Sequence, residues 1–282
     1  MSLHLTDARA PLTHDVDVLD EHGQRRTISI PAERSLTVFV DKRELVTLMT
    51  LGAAPELLVL GYLRNQRLAT SIDDIVSITV DWDVGSAAVR TRGGVADLQA
   101  RTARRVVTTG CGQGTVFGDL MQELDSVTLL PATDARARID QATLYGLLNA
   151  MRLQESTYKS AGSVHGCALF KRDELLIFIE DVGRHNAIDT IAGWMWQQGV
   201  AGGDKIFYTT GRLTSEMVIK SAQMGVPIIV SRSGITQMGY EVAGRLGMCL
   251  FGRATNRHFI CYGGFERFEP EPALAGAALA RP

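Results

Sequence analysis

Four short apolar runs, at 175–179, 205–209, 226–230 and 248–251, are separated by segments of helical periodicity that begin near 186, 214 and 236. Strand and helix alternating in this way predict an α/β domain: a mainly parallel sheet with helices on both faces. That topology fixes where a ligand can sit. Every strand-to-helix loop falls at the carboxyl edge of the strands, where helix N-termini present unpaired N–H groups.

Three such loops are written in the sequence: "EDVGRHN" (180–186), "TTGRLTS" (209–215) and "SRSGIT" (231–236). Each carries a glycine and an arginine: Arg184, Arg212 and Arg232. Gly211 lets backbone approach a ligand closely. A guanidinium binds phosphate through two parallel donors. Hydroxyls on Thr209, Thr210, Thr214, Ser215, Ser231, Ser233 and Thr236 stand beside the expected helix starts. Together they predict a site for a large, multiply phosphorylated ligand. Glu180 and Asp181 have two readings there. They cap the following helix, or they pair with the N1 and N2 donors of a guanine. His165 and His185 lie beside glycines in loops and read either as structural histidines or as ligand contacts. Trp194 and Trp196 read as packing residues or as part of an oligomer surface.

Upstream, "DQATLYGLLNAMRLQES" predicts a helix capped by Asp140, with Leu144, Leu147, Leu148 and Met151 on its apolar stripe. "GCALF" and "LLIFIE" flank "KRDE" as a hairpin. In the first half, "LTVFV" (36–40) reads as a strand, "PELLVLGYL" (55–63) as a helix with proline in its first turn, and Val76, Ile78, Val80, Trp82 and Val84 as the buried side of another strand. "LLPATDARARID" (129–140) lacks periodicity and reads as a linker. It divides a smaller N-terminal α+β domain (1–130) from the α/β domain (131–267). Residues 1 to about 25 read as a loose arm, and 268–282, rich in Pro and Ala, as a disordered tail.

A net charge of −2 implies no global attraction to nucleic acid. The opening residues lack an apolar leader and no run reaches transmembrane length, so a cytoplasmic protein off the membrane is expected. The run Arg90, Arg92, Arg101, Arg104 and Arg105 reads as a solvated face or as a functional patch. Of the four cysteines, none is three residues from another, which excludes a zinc knuckle and a Cys-x-x-Cys dithiol. Cys167, Cys249 and Cys261 sit in apolar runs as small hydrophobes. Cys111 differs. In "VVTTGCGQGTVFG" (106–118) it is surrounded by glycines, and Arg101, Arg104 and Arg105 are close enough in sequence to favour a thiolate.

The motifs "GSVHGCALF", "EDVGRHNAIDTI", "TTGRLTSEMVIKSAQMGVPIIVS" and "LFGRATNRHFICY" strongly resemble the formate dehydrogenase accessory protein family, FdhD, over about 35 to 265. The resemblance implies a cytidine-deaminase-like α/β domain with a smaller added domain. It implies binding of the bis-guanine-dinucleotide molybdenum cofactor, with GDP as a surrogate ligand. It implies a sulfur carrier that receives sulfur from a cysteine desulfurase as a persulfide on Cys111 and serves apo formate dehydrogenase, as a homodimer. A family cofactor-binding segment falls on Phe251, Gly252, Arg253, Ala254, Thr255 and Asn256. Where the family has Cys-Gly-x-Cys, this chain has Cys111-Gly112-Gln113-Gly114, so the second thiol that would resolve or relay a persulfide is replaced by Gly114. That leaves two readings: a sulfurtransferase working with one thiol, or a cofactor-binding insertion chaperone without transfer. A zinc deaminase is excluded, because its His-x-Glu and Pro-Cys-x-x-Cys motifs are missing.

Overall fold

The computed structural model describes residues 3–94 and 127–276. Cys111, Arg101, Arg104 and Arg105 lie outside the described residues. The chain opens with β1 (His4–Leu5), β2 (Thr13–Leu19), β3 (Arg25–Pro31), β4 (Arg34–Val40) and β5 (Arg43–Thr50), then α1 (Pro55–Asn65), β6 (Ile75–Asp81) and β7 (Ser86–Thr91). Later come β8 (Ile139–Asp140), α2 (Gln141–Leu153), α3 (Thr157–Ala161), β9 (His165–Lys171), β10 (Glu174–Asp181) and α4 (Arg184–Gln197). The last part holds β11 (Ile206–Thr209), α5 (Ser215–Gln223), β12 (Ile228–Ser231), α6 (Gln237–Leu246), β13 (Cys249–Thr255), β14 (His258–Gly263), β15 (Phe268–Glu269) and α7 (Pro272–Gly276).

These elements form two units interleaved along the chain, rather than two domains in sequence divided at 130. The first takes residues 1–120, 155–166 and 179–200; the second takes 121–154, 167–178 and 201–282. The reason is a helix contact that the sequence does not announce. In the first unit, α4 crosses α1 with backbone against backbone. A Cβ on Gly61 would lie 1.6 Å from the carbonyl oxygen of Asp189, and one on Gly193 would lie 2.0 Å from that of Leu57. Asn65 Nδ2 donates to Asp189 Oδ1 at 2.7 Å and Arg64 Nη1 donates to the Ala192 carbonyl at 3.1 Å. The contact ties 179–200 to the N-terminal residues.

The first unit also holds a five-stranded sheet, ordered β1-β6-β7-β4-β5. Leu36, Val38, Val40, Ile78 and Val80 share one core with Leu58, Val59, Tyr62 and Leu63 of α1. Pro55 opens that helix as expected, since the first-turn N–H it lacks has no helical partner. The N-terminal residues are not a loose arm. β2 and β3 pair antiparallel from Thr13↔Pro31 to Leu19↔Arg25. Glu56, buried in α1, accepts from Thr6 Oγ1 at 2.6 Å and from the Ala8 N–H at 2.9 Å, which anchors the approach to the sheet. The period-two signal in "THDVDVL" is weak because neither face of that hairpin is fully buried.

The second unit holds most of a six-stranded sheet ordered β10-β9-β11-β12-β13-β14. β11, β12 and β13 are parallel, as alternation with α5 and α6 requires. β9 runs antiparallel to β11, and β14 antiparallel to β13. The sheet is therefore mixed and not mainly parallel. The tight turn between β13 and β14 leaves no room for the crossover that parallel pairing needs. Ile206, Tyr208, Ile228, Val230 and Phe251 share a core with Leu144, Leu147 and Leu148 of α2. Asp140 caps α2, accepting from the Thr143 N–H at 2.6 Å. Residues 268–276 are not a disordered tail. β15 pairs with β8, and Phe268 sits edge-on to Phe251 with ring centroids 5.0 Å apart. An aromatic pair of this kind supplies the burial that a Pro/Ala composition lacks.

Candidate functional site

The parallel strands of the second unit end in loops that are bonded to one another. After β11, the Gly211 N–H donates to Thr209 Oγ1 at 3.1 Å, and the Gly211 carbonyl accepts from Ser231 Oγ at 2.7 Å. Ser231 Oγ accepts in turn from the Ser233 N–H at 2.9 Å. The Arg232 N–H donates to the Thr209 carbonyl at 3.0 Å, and the Leu213 N–H to the Gly234 carbonyl at 3.0 Å. The third strand joins this lattice through a bulge. Arg253 takes φ +51°, and its N–H donates to the Ser233 carbonyl at 2.7 Å. Gly252 is needed beside it. A Cβ there would lie 2.7 Å from Tyr262 Cε2 and 3.2 Å from the Ser233 carbonyl oxygen.

Two of the hydroxyls expected to face a ligand, those of Thr209 and Ser231, therefore have other work. Thr209 and Ser231 are fully buried and hold the loops in shape. The side chains left outward are cationic: Arg212 and Arg232, one on each loop, and Arg253 on the bulge of β13 are all exposed. Thr210 and Ser233 are part-exposed beside them. Thr214 caps α5 without a side-chain capping bond, and its Oγ1 is shielded from solvent with no hydrogen-bond partner among the described residues. Behind this edge the Tyr208 hydroxyl is pushed up to about 12 by burial, against the opposing pull of Arg232. Of the segment 251–256, Phe251 and Ala254 point into the core, while Arg253, Thr255 and Asn256 are exposed.

The remaining expected residues belong to the first unit, and most are buried. Asp181 is 3% exposed and accepts four protein donors: Thr50 Oγ1 at 2.5 Å, the Leu51 N–H at 3.2 Å, the Gly183 N–H at 3.0 Å and Asn186 Nδ2 at 2.7 Å. Burial pushes its carboxyl above the usual carboxylate range, although all four donors pull the other way. Glu180 accepts from the N–H groups of Thr157 and Tyr158, so it caps the short helix α3 and not the helix that follows it. The pair thus serves capping and loop fixation within the protein. Arg184 and His185 open α4 at 6% and 3% exposure, in contrast to the outward arginines of the second unit. His165 begins β9, part-exposed.

Sequence reasoning missed Thr50 as the partner of Asp181 and missed Lys220, fully buried in α5 at 3.8 Å from Glu216. The i,i+4 spacing of Glu216 and Lys220 was the available signal for the second. Thr50 and Asp181 are 131 residues apart, and nothing local links them.

Comparison with known proteins agrees with this architecture. The chain is 29% identical over 270 residues to the sulfur carrier protein FdhD of Bacillus licheniformis, covering 95% of this chain and 99% of that one. It is 30% identical over 235 residues to the protein of the same name from Bacillus subtilis, covering 83% and 88%. A crystal structure from Desulfotalea psychrophila, described as a formate dehydrogenase accessory protein, superposes with a TM-score of 0.72 at 24% identity, over 92% of this chain and all of that one. The FdhD/NarQ family model matches residues 31–269, and the chain belongs to that family.

Proposed function

We propose that this protein is a sulfur carrier and formate dehydrogenase accessory protein that works in the cytoplasm. It binds the bis-guanine-dinucleotide molybdenum cofactor, receives sulfur from a cysteine desulfurase on Cys111, and serves apo formate dehydrogenase. The observation that carries the cofactor half is the set of exposed guanidinium groups, Arg212 and Arg232 on two loops and Arg253 on the bulge of β13, whose backbones are locked together by hydrogen bonds. Rigid loops hold such groups in place before a ligand arrives, which lowers the entropy lost on binding. The donor set fits pyrophosphate. Arginine forks suit its oxygens, and the orphaned Thr214 Oγ1 stands at the N-terminus of α5, where an anion is favoured.

The carrier half rests on the family and on Cys111. The Cys111 thiolate attacks the terminal sulfur of the desulfurase persulfide. A new S–S bond forms on Cys111 as the old one breaks, and the desulfurase cysteine leaves as a thiolate. One thiol is sufficient for that step. Gly114, standing where the family has its second cysteine, supports the alternative of a cofactor-binding insertion chaperone that transfers no sulfur.

Titration with GDP tests the cofactor half. Arg212→Ala and Arg253→Ala should each weaken binding by about 1–3 kcal/mol, or roughly 5- to 150-fold, if each makes a charge-assisted bond. Unchanged affinity in both variants removes this edge as the site.

A further inference from the structure

Two thiols of β13 and β14 face one another in the second unit. Cys249 opens β13 and is fully buried, while Cys261 in β14 is part-exposed. Phe251 pairs with Cys261, but the register shifts at once, so that Leu250 pairs with Gly263. Cys249 and Cys261 are diagonal neighbours across that irregularity, and their sulfurs are 3.9 Å apart. A disulfide needs about 2 Å between sulfurs, so closing this pair requires the two sulfurs to move toward one another. The pair is asymmetric. The hydrogen bond between the thiols holds Cys261 below the ordinary thiol value. The same bond, together with burial, pushes Cys249 well up. Cys261 Sγ also lies 3.5 Å from the Gly263 carbonyl. An accessible thiol beside a shielded one suits attack by the first and resolution by the second.

We propose that Cys249 and Cys261 form a redox-active dithiol that closes to a disulfide on reaction with hydrogen peroxide. The Cys261 thiolate attacks a peroxide oxygen. An S–O bond forms as the O–O bond breaks, and hydroxide leaves and is protonated to water. The Cys249 sulfur then attacks the Cys261 sulfur. The S–S bond forms as the S–O bond breaks, and the departing hydroxide takes the Cys249 proton. Two thiols lose two electrons and two protons, and one peroxide becomes two waters. The bond would tie β13 to β14 just before Gly252 and Arg253, fixing the hairpin that carries the third arginine.

The test uses the full-length protein, reduced, desalted, exposed to graded hydrogen peroxide, alkylated, and digested with trypsin without reductant. Cleavage after Arg245, Arg253, Arg257 and Arg267 puts Cys249 on the peptide 246–253 and Cys261 on 258–267. The expected product is these two peptides joined, separable by reductant, and formed at lower peroxide than any change at the buried Cys167. Cys261→Ser should abolish it. Recovery of Cys249 in its alkylated form while Cys261 is sulfinylated, or joined to another cysteine, overturns the proposal. The wild-type map decides the matter even where a variant fails to fold.

Discussion

Gly193→Ala sets two physical effects against each other, and they differ in sign. Gly193 lies inside α4, where alanine is favoured over glycine by about 1 kcal/mol on helix propensity alone. The crossing with α1 opposes this. The new methyl carbon would sit 2.0 Å from the Leu57 carbonyl oxygen, whereas real contacts of this kind stay above 3.0 Å, so the helices must part by about 1 Å. A gap of that size forfeits a quarter to a half of the dispersion attraction across it. It also stretches the buried bond from Asn65 to Asp189 out of its 2.7 Å geometry. Overpacking costs about 1–3 kcal/mol, and loss of a bond to a carboxylate about 1.5–3 kcal/mol. After the propensity gain is subtracted, the variant should be about 1.5–5 kcal/mol less stable in urea unfolding. Gly244→Ala is the control. Gly244 lies inside α6, exposed, with nothing among the described residues within 4 Å of where a Cβ would stand, so it should gain about 0.5–1 kcal/mol. The first turn of α4 carries Arg184, His185 and Asn186, so Gly193→Ala also bears on the loop beside Asp181. If Gly193→Ala matches or exceeds wild-type stability, the close helix crossing is refuted.

Two further expectations concern the second unit. Tyr208 is held up to about 12, above its unfolded value near 10, so its contribution to stability is whole below about pH 10 and lost as pH rises through 12. Tyr208→Phe should leave the ultraviolet phenolate titration unchanged below about pH 11 and remove one ionising group above it; an early loss contradicts the burial. Arg267 is 4% exposed and donates to the carbonyls of Gly247 at 2.7 Å, Ala137 at 3.2 Å and Leu130 at 2.8 Å. Arg267→Lys keeps the charge but loses the fork, and should lower stability by about 2–4 kcal/mol in thermal unfolding; no change contradicts the three-carbonyl clamp.

What could be read in advance was local. The alternation from 205 to 251, proline at the start of α1 and the Asp140 cap are signals carried within a few residues, and the elements stand where those signals put them. What could not be read joins residues far apart. The antiparallel pairing of β9 with β11, the Thr50–Asp181 bond and the Gly61–Gly193 crossing depend on which surfaces meet in three dimensions. Loop composition had the same limit at the site. Arg184, Arg212 and Arg232 look alike in sequence, yet Arg184 opens a helix packed on α1 and is buried, while the others face outward. Arg253 completes the outward set because a bulge with positive φ turns the strand at that point, and composition gives no sign of it.

The carrier claim is met most directly by mass. The purified protein is incubated with a cysteine desulfurase and cysteine and weighed without reductant, beside a Cys111→Ala control. A gain of one sulfur, absent from the control and removed by reductant, is the predicted result. No gain on Cys111, in a protein that still binds the guanine ligand, would contradict sulfur transfer and leave cofactor binding as the surviving role.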